Sequence, residues 1–224
     1  ARYGISVGTL MAANGLQEAS QLAVGDTLII PHEGQRIPSL TGGWVALLDE
    51  IAGSLDLVDA SGNVASLFPA GSSVTSVSWS PDSRHLLAVR GSMPAEIWGV
   101  ELDGSVGAPH LLFQAEPGDG GEGASIPPGQ IAIGAWSPDG RHVTFWQSML
   151  GASIQADGLP LTVLDVETGE ATPLGFSTLL HPGYQSWAPD GSALAISAGG
   201  YRSAQVNKWL AVFEVETGQV TTVV

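Results

Sequence analysis

The chain has 224 residues, 22 acidic side chains against seven basic ones, a formal net charge of −15 and no cysteine. That charge repels phosphate backbones and anionic lipid, so nucleic acid and acidic membranes are not expected partners; the lack of thiols excludes disulfides, cysteine-ligated zinc and thiol catalysis. With 44% hydrophobic and 13% charged residues the chain has the apolar content of a folded core, and no apolar run reaches the ~20 residues of a membrane span.

The first element is "ARYGISVGTLMAANGLQEASQLAVGDTLIIP" (1–31), with a short helix predicted over "VGTLMAAN", then a polar loop, then a strand at "TLIIP". Tyr3, Gly4, Ile5, Ser6, Leu10, Asn14, Leu16, Leu22, Gly25, Leu28, Ile30 and Pro31 fall at the spacing of the second half of a LysM domain, which this segment resembles. The resemblance implies binding of N-acetylglucosamine glycans, in peptidoglycan or chitin, in a shallow groove. Only one wall of that groove is present, about Asn14 to Val24, with Asn14, Gly15, Leu16 and Gln17 as the expected contacts. The family's opening strand and most of its first helix are missing, so the expected glycan affinity is weak. Leu10, Leu16, Leu28 and Ile30 equally suit plain packing. Gly4-Ile-Ser-Val-Gly8 fits the nucleophile-elbow pattern, but that motif needs a preceding strand and a long following helix, and only three residues precede Gly4. Residues 32–35 read as a linker.

From there the chain repeats. "WVALLDEIAGSLDLVDASGNVASLF" (44–68) supplies three strands, with "RIPSL" (36–40) as a candidate inner strand. "SWSPDSRHLLAV" starts at Ser78 and returns as "AWSPDGRHVTFW" from Ala135 and "SWAPDGSALAIS" from Ser186. Recurrence at such intervals marks a repeat architecture. Ser-Pro-Asp-Gly suits a type I turn, with Ser first, Pro second and Gly fourth. An apolar strand carrying Trp precedes each turn and an alternating strand follows, in which Val143 and Phe145 share a face. A second hairpin follows each phrase, turning at Asp103-Gly104, Thr168-Gly169 and Thr217-Gly218. Four meandering strands per unit are the signature of a propeller blade. These repeats resemble the TolB-type β-propeller. The expected fold is therefore mainly β: a partial β-propeller of four-stranded antiparallel blades over 36–224, after a small α+β remnant. Its blades are about 36–68 (degenerate), 74–113, 131–174 and 184–224. The repeated Asp82, Asp139 and Asp190 are explained by bonds to turn amides. His85 and His142, equivalent in two blades, are expected to be structural.

In a four-stranded meander the first and third turns emerge on one face, the second turn and the blade-to-blade connection on the other. The first and third turns here are tight, while the long segments 90–96, 114–130, 147–160, 176–185 and 197–208 fall in the other class. Loops on a rigid scaffold are where function concentrates. Arg90, Met93, Glu116, Asp119, Gln147, Gln155, Asp157, Tyr184, Tyr201 and Arg202 are the candidate binding residues of that face, for a protein or peptide partner. Calcium among Glu116, Asp119 and Glu122 suits hard oxygen ligands, but no calcium-loop pattern is present, so neither metal nor cofactor is expected.

The sequence supplies no catalytic residues, and the expectation is a non-enzymatic, extracytoplasmic protein in which the LysM-like module anchors and the propeller binds. The alternative is the substrate-gating propeller of a prolyl-oligopeptidase-like serine peptidase whose catalytic domain lies elsewhere. With no initiator Met, leader or basic n-region, the chain reads as a piece of a longer protein. An unclosed arc with the uncharged terminal strand "QVTTVV" is expected to self-associate.

Overall fold

The computed structural model of the chain describes residues 43–91, 94–102, 105–116, 118–119, 125–126, 128–149, 158–199 and 208–223. The chain divides into two units, Ala1–Gly43 and Trp44–Val224. The elements expected in 1–42, including the inner strand at "RIPSL", lie outside the described residues.

The second unit is built from antiparallel meanders. The first is three-stranded: β1 (Trp44–Asp49), β2 (Ser54–Asp59) and β3 (Val64–Phe68). The second is β4 (Val74–Trp79), β5 (His85–Arg90), β6 (Glu96–Glu101) and β7 (His110–Gln114). A small hairpin, β8 (Gly118–Asp119) with β9 (Ser125–Ile126), precedes the third blade. That blade is β10 (Pro128–Trp136), β11 (His142–Met149), β12 (Leu159–Asp165) and β13 (Ala171–Thr178). The fourth is β14 (Gln185–Trp187), β15 (Ala193–Ala198), β16 (Trp209–Glu214) and β17 (Gln219–Val223). The described residues are thus nearly all β, with three four-stranded propeller-type meanders and one of three strands.

Three apolar clusters fill the spaces between successive blades. Leu55, Leu57 and Phe68 of the first meet Leu86, Ala88 and Val100 of the second. Leu87, Val89 and Ile97 on the opposite face meet Val143, Phe145 and Leu164 of the third. Trp146, Leu161 and Val163 then meet Leu194, Ile196 and Phe213 of the fourth. The second strand of a blade is therefore apolar on both faces, since alternate residues point to opposite neighbours.

The repeated phrase holds the blades in register. In each copy the fourth residue of the turn donates its amide to the carbonyl of the first: Ser83 to Ser80, Gly140 to Ser137 and Gly191 to Ala188. That fourth residue is left-handed, with φ of 61° at Ser83, 73° at Gly140 and 74° at Gly191, where glycine costs least. Inside the turn, the Ser137 hydroxyl donates to Asp139 (2.5 Å) and accepts from the His142 amide (2.8 Å). Ser80 does the same with Asp82 (2.6 Å) and His85 (2.9 Å). The aspartates accept from the amides of Arg84, Arg141 and Ser192, so turn amides engage all three, as expected. Between blades, the indole N–H of Trp136 donates to Ser78 (2.8 Å) and that of Trp187 to the Ala135 carbonyl (3.1 Å). Each tryptophan thus bonds the residue before the tryptophan of the preceding blade. Successive turns also touch: a Cβ added at Gly140 would lie 2.7 Å from an Asp82 oxygen, and one at Gly191 2.9 Å from an Asp139 oxygen.

Candidate functional site

The meander divides the candidate residues between two faces. On the face of the second turns and blade connections, backbone bonds tie three second turns to the neighbouring blade or connection: Val74 to Gly53, Gly91 to Ser73 and Gly199 to Ser177. Of the residues expected to line this face, Arg90, Glu116, Gln147 and Tyr184 are placed with their side chains. The backbone of Asp119 lies in β8. Met93, Gln155, Asp157, Tyr201 and Arg202, like Asn14, Gly15, Leu16 and Gln17, lie outside the described residues, as does Glu122.

Arg90 is committed to the scaffold. Its Nε donates to the Ser72 carbonyl (2.7 Å), its Nη1 pairs with Glu96 (3.0 Å), and its guanidinium lies 5.6 Å from the centre of the Trp98 ring. The Trp98 indole donates to the same Glu96 oxygen at 2.8 Å. Gln147 and Glu116 are brought together, the Gln147 amide donating to the Glu116 carbonyl at 3.2 Å. Tyr184 stands on the short 3-10 turn Pro182–Tyr184 and is exposed. Its ring lies 5.2 Å from that of His181 and 5.6 Å from the Lys208 ammonium. Lys208 also donates to the Gly199 carbonyl, and burial pushes its pKa below the ordinary lysine value. His181 and Lys208 were not among the sequence candidates. The signal available was their position in two of the long segments that converge on one face.

The opposite face carries a groove of about 470 Å³ between the third and fourth blades. Arg141, His142, Val163 and Asp165 form one side with Glu170 and Thr172; Phe213, Val215, Glu216, Thr217 and Gly218 form the other. Asp165 anchors the first side. It takes two bonds from Arg141, at 3.1 and 3.0 Å, and accepts from the amides of Glu167 and Thr168. Burial works to raise its pKa, but those amides and the Arg141 charge hold it below the ordinary carboxylate value. His142, 8% exposed, has Nε2 3.7 Å from Asp165 and its ring stacked 6.1 Å from Trp187. Its pKa is lowered by burial, against the pull of Asp165 and Asp139. Among the described residues no group of three or more histidines and carboxylates is placed to hold a metal ion, and no helix is long and apolar enough to cross a membrane.

The blades and their packing define a β-propeller fold. Among solved structures, an uncharacterized protein from Listeria monocytogenes EGD-e shares it with a TM-score of 0.51 at 14% identity, over 82% of this chain and 51% of that one. TolB from Acinetobacter baumannii aligns with a TM-score of 0.44 at 17% identity, over 80% of this chain and 40% of its own. The periplasmic gluconolactonase of Pseudomonas aeruginosa aligns with a TM-score of 0.44 at 18% identity, over 83% and 51%. The chain thus spans roughly half the length of the solved structures it matches. The LysM domain family matches residues 1–31. No curated protein matches the chain. One expectation is corrected by these comparisons. Propellers similar to this chain include one named a gluconolactonase, so a propeller with no recognised triad is no ground for calling the chain a non-enzyme; one fold hosts catalysts and binders alike.

Proposed function

We propose that the chain is an extracytoplasmic binding protein that joins a glycan-anchoring segment to a propeller presenting a protein- or peptide-binding surface. The observation that carries this reading is the match of residues 1–31 to the LysM domain family beside a blade array. Asn14, Gly15, Leu16 and Gln17 are the proposed contacts to N-acetylglucosamine-containing glycan. Blades over 36–224 act as the scaffold, and the connections that carry Arg90, Met93, Glu116, Asp119, Gln147, Gln155, Asp157, Tyr184, Tyr201 and Arg202 face the partner. Two placements support the second half of the proposal. Exposed Tyr184 stands beside His181 and Lys208, an aromatic and cationic surface of the kind that anchors interfaces. Arg90, held by Glu96 and Trp98, serves that surface by fixing the loop after β5.

Sedimentation with insoluble chitin and with peptidoglycan tests the anchoring role. The chain is expected to pellet weakly with at least one polymer, the full gene product more strongly, and Asn14→Ala with Gln17→Ala to abolish the effect. Failure of the full gene product to pellet with either polymer would reject glycan anchoring. Fractionation of the native host tests location, and recovery only from the cytosol would reject the extracytoplasmic placement.

A further inference from the structure

Successive blades close on one another, but the two end blades each present a sheet face with no blade against it among the described residues. Strand register allows the comparison position by position. The second turn of a blade is flanked by the pairs Asp49↔Ser54, Arg90↔Glu96 and Ala198↔Trp209. Counted from those pairs, Val45 and Leu47 of the first blade stand where Leu86 and Ala88 stand in the second. Leu86 and Ala88 are 0% exposed, sealed against the first blade, whereas Val45 and Leu47 are each 52% exposed. At the other end Leu210 stands where Ile97 stands. Ile97 is 0% exposed beside the third blade, and Leu210 is 44% exposed.

Each end face is a patch across several strands. Residues paired across antiparallel strands share a face. Val45, Val58 and Val64 therefore form one row over β1, β2 and β3, and Leu47 lies in the next row with Asp56 and Ser66. On the fourth blade Ala195, Val212 and Thr221 form a row over β15, β16 and β17, beside the row of Ser197, Leu210 and Val223. Val64 and Val223 are both exposed. Asp56 lies near the second turn and Glu214 at the strand end remote from it, so stacking the two faces does not bring these carboxylates together. Single apolar side chains on a surface need no explanation, but contiguous ones mark contact sites.

We infer that the Val45, Leu47, Val58 and Val64 face of one chain packs on the Leu210, Val212 and Val223 face of a second copy, and the reverse, so that two chains close one ring of eight blades. The two faces are the two sides of one kind of boundary. At every internal boundary a face of the first kind already meets one of the second, and a blade covers its faces only with neighbours. Because the faces differ, the contact is heterologous, and such contacts close when the rotation allows it. Eight blades lie within the range of closed propellers. This chain spans 51% of the Listeria protein whose fold it shares, so a second copy supplies the other half of such an array. The contact involves neither the glycan segment nor the long connections.

Sedimentation equilibrium of the 224-residue chain and of the full gene product tests the inference. The 224-residue chain is expected at twice its 23.0 kDa, and the full gene product as a dimer too. Val45→Lys with Leu47→Lys should raise the dissociation constant at least tenfold, as should Leu210→Lys with Val223→Lys. Leu111→Lys with Leu180→Lys, exposed apolar positions off both end faces, should leave it within twofold. Each end-face variant should be monomeric alone, while an equimolar mixture of the two should regain a dimer through the one boundary still intact. That recovery also shows that both variants are folded. A monomeric parent chain, a series of ever larger species, an end-face variant that still dimerises alone, a mixture that stays monomeric, or a monomeric full gene product would overturn the proposal.

Discussion

Removal of one hydroxyl, by Ser137→Ala, tests how the blade turns are held. Ser137 is fully buried and its hydroxyl serves two partners, donating to Asp139 at 2.5 Å and accepting from the His142 amide at 2.8 Å. Leaving a buried amide without this acceptor costs roughly 1–3 kcal/mol, and a bond to a charged acceptor adds about 1.5 more at the low end of its range; the low end applies because Asp139 is exposed. The expected loss is about 3 kcal/mol, and at roughly 2–4 °C per kcal/mol for a chain of this size the melting temperature should fall about 6–12 °C. Ser80→Ala should behave alike, since Ser80 is 2% exposed and makes the same two bonds. The fourth blade supplies the converse. Ala188 stands where the other two copies have serine, and Ser192 donates to Asp190 instead, at 2.7 Å. Ala188→Ser should therefore stabilise modestly, by about 1 kcal/mol. Calorimetry or circular dichroism melts on the three variants decide the matter. A fall under ~2 °C for both Ser80→Ala and Ser137→Ala would refute the claim that these hydroxyls hold the turns.

Three further outcomes follow from the same contacts. His142 has a folded pKa below its ordinary 6.5, mainly through burial, so its neutral form contributes stability that is present above pH 6.5 and is lost as pH falls toward the folded value; urea unfolding between about pH 8 and 5 should show this slope, and His142→Gln should flatten it. Asp82, Asp139 and Asp165 have folded pKa values below the ordinary 3.8, burial being outweighed by hydroxyl, amide and neighbouring positive groups; their contribution is present above pH 3.8 and disappears as pH drops further, so an acid titration of Asp139→Asn should lose part of this lower step. Gly169→Ala and Gly218→Ala both place alanine at positive φ, 74° and 65°, at about 1–2 kcal/mol, but only Gly169→Ala also presses on Leu112; its melting temperature should fall further, and equal shifts would show that the hairpin does not pack there.

The blade architecture was legible because a propeller repeats its local rules. Ser-Pro-Asp-Gly specifies a turn by backbone preference alone, and the alternation around Val143 and Phe145 specifies the face they share. The turn role of the aspartates could be read in the same way, because an Asx side chain bonds amides two residues on in any context. Contacts between blades were another matter. Nothing in the local sequence shows that Trp136 would donate to Ser78, 58 positions away, since a tryptophan before a turn satisfies the apolar pattern whether or not its N–H finds a partner. Arg90 shows the same limit. Its place at a loop entrance suggested availability, but its partners Ser72, Glu96 and Trp98 come from different segments, and only the folded sheet brings them round one guanidinium.

The groove between the third and fourth blades shows that turn length alone does not set the space beside a hairpin. Turn length sets how far a hairpin projects, but the space beside it depends on what the neighbouring blade places against it. "VETGE" and "VETGQ" are almost the same turn. The first closes on Leu112; the second stands clear, on the groove that Val163 and Phe213 also line. That difference lies in how near the preceding blade's backbone comes, with the Leu112 carbonyl 3.3 Å from a Cβ at Gly169 and nothing within 4 Å of one at Gly218, so it is invisible when the repeats are taken singly. Repeat architecture supplies the rigid frame, and departures from exact repetition at one blade boundary supply the cavity.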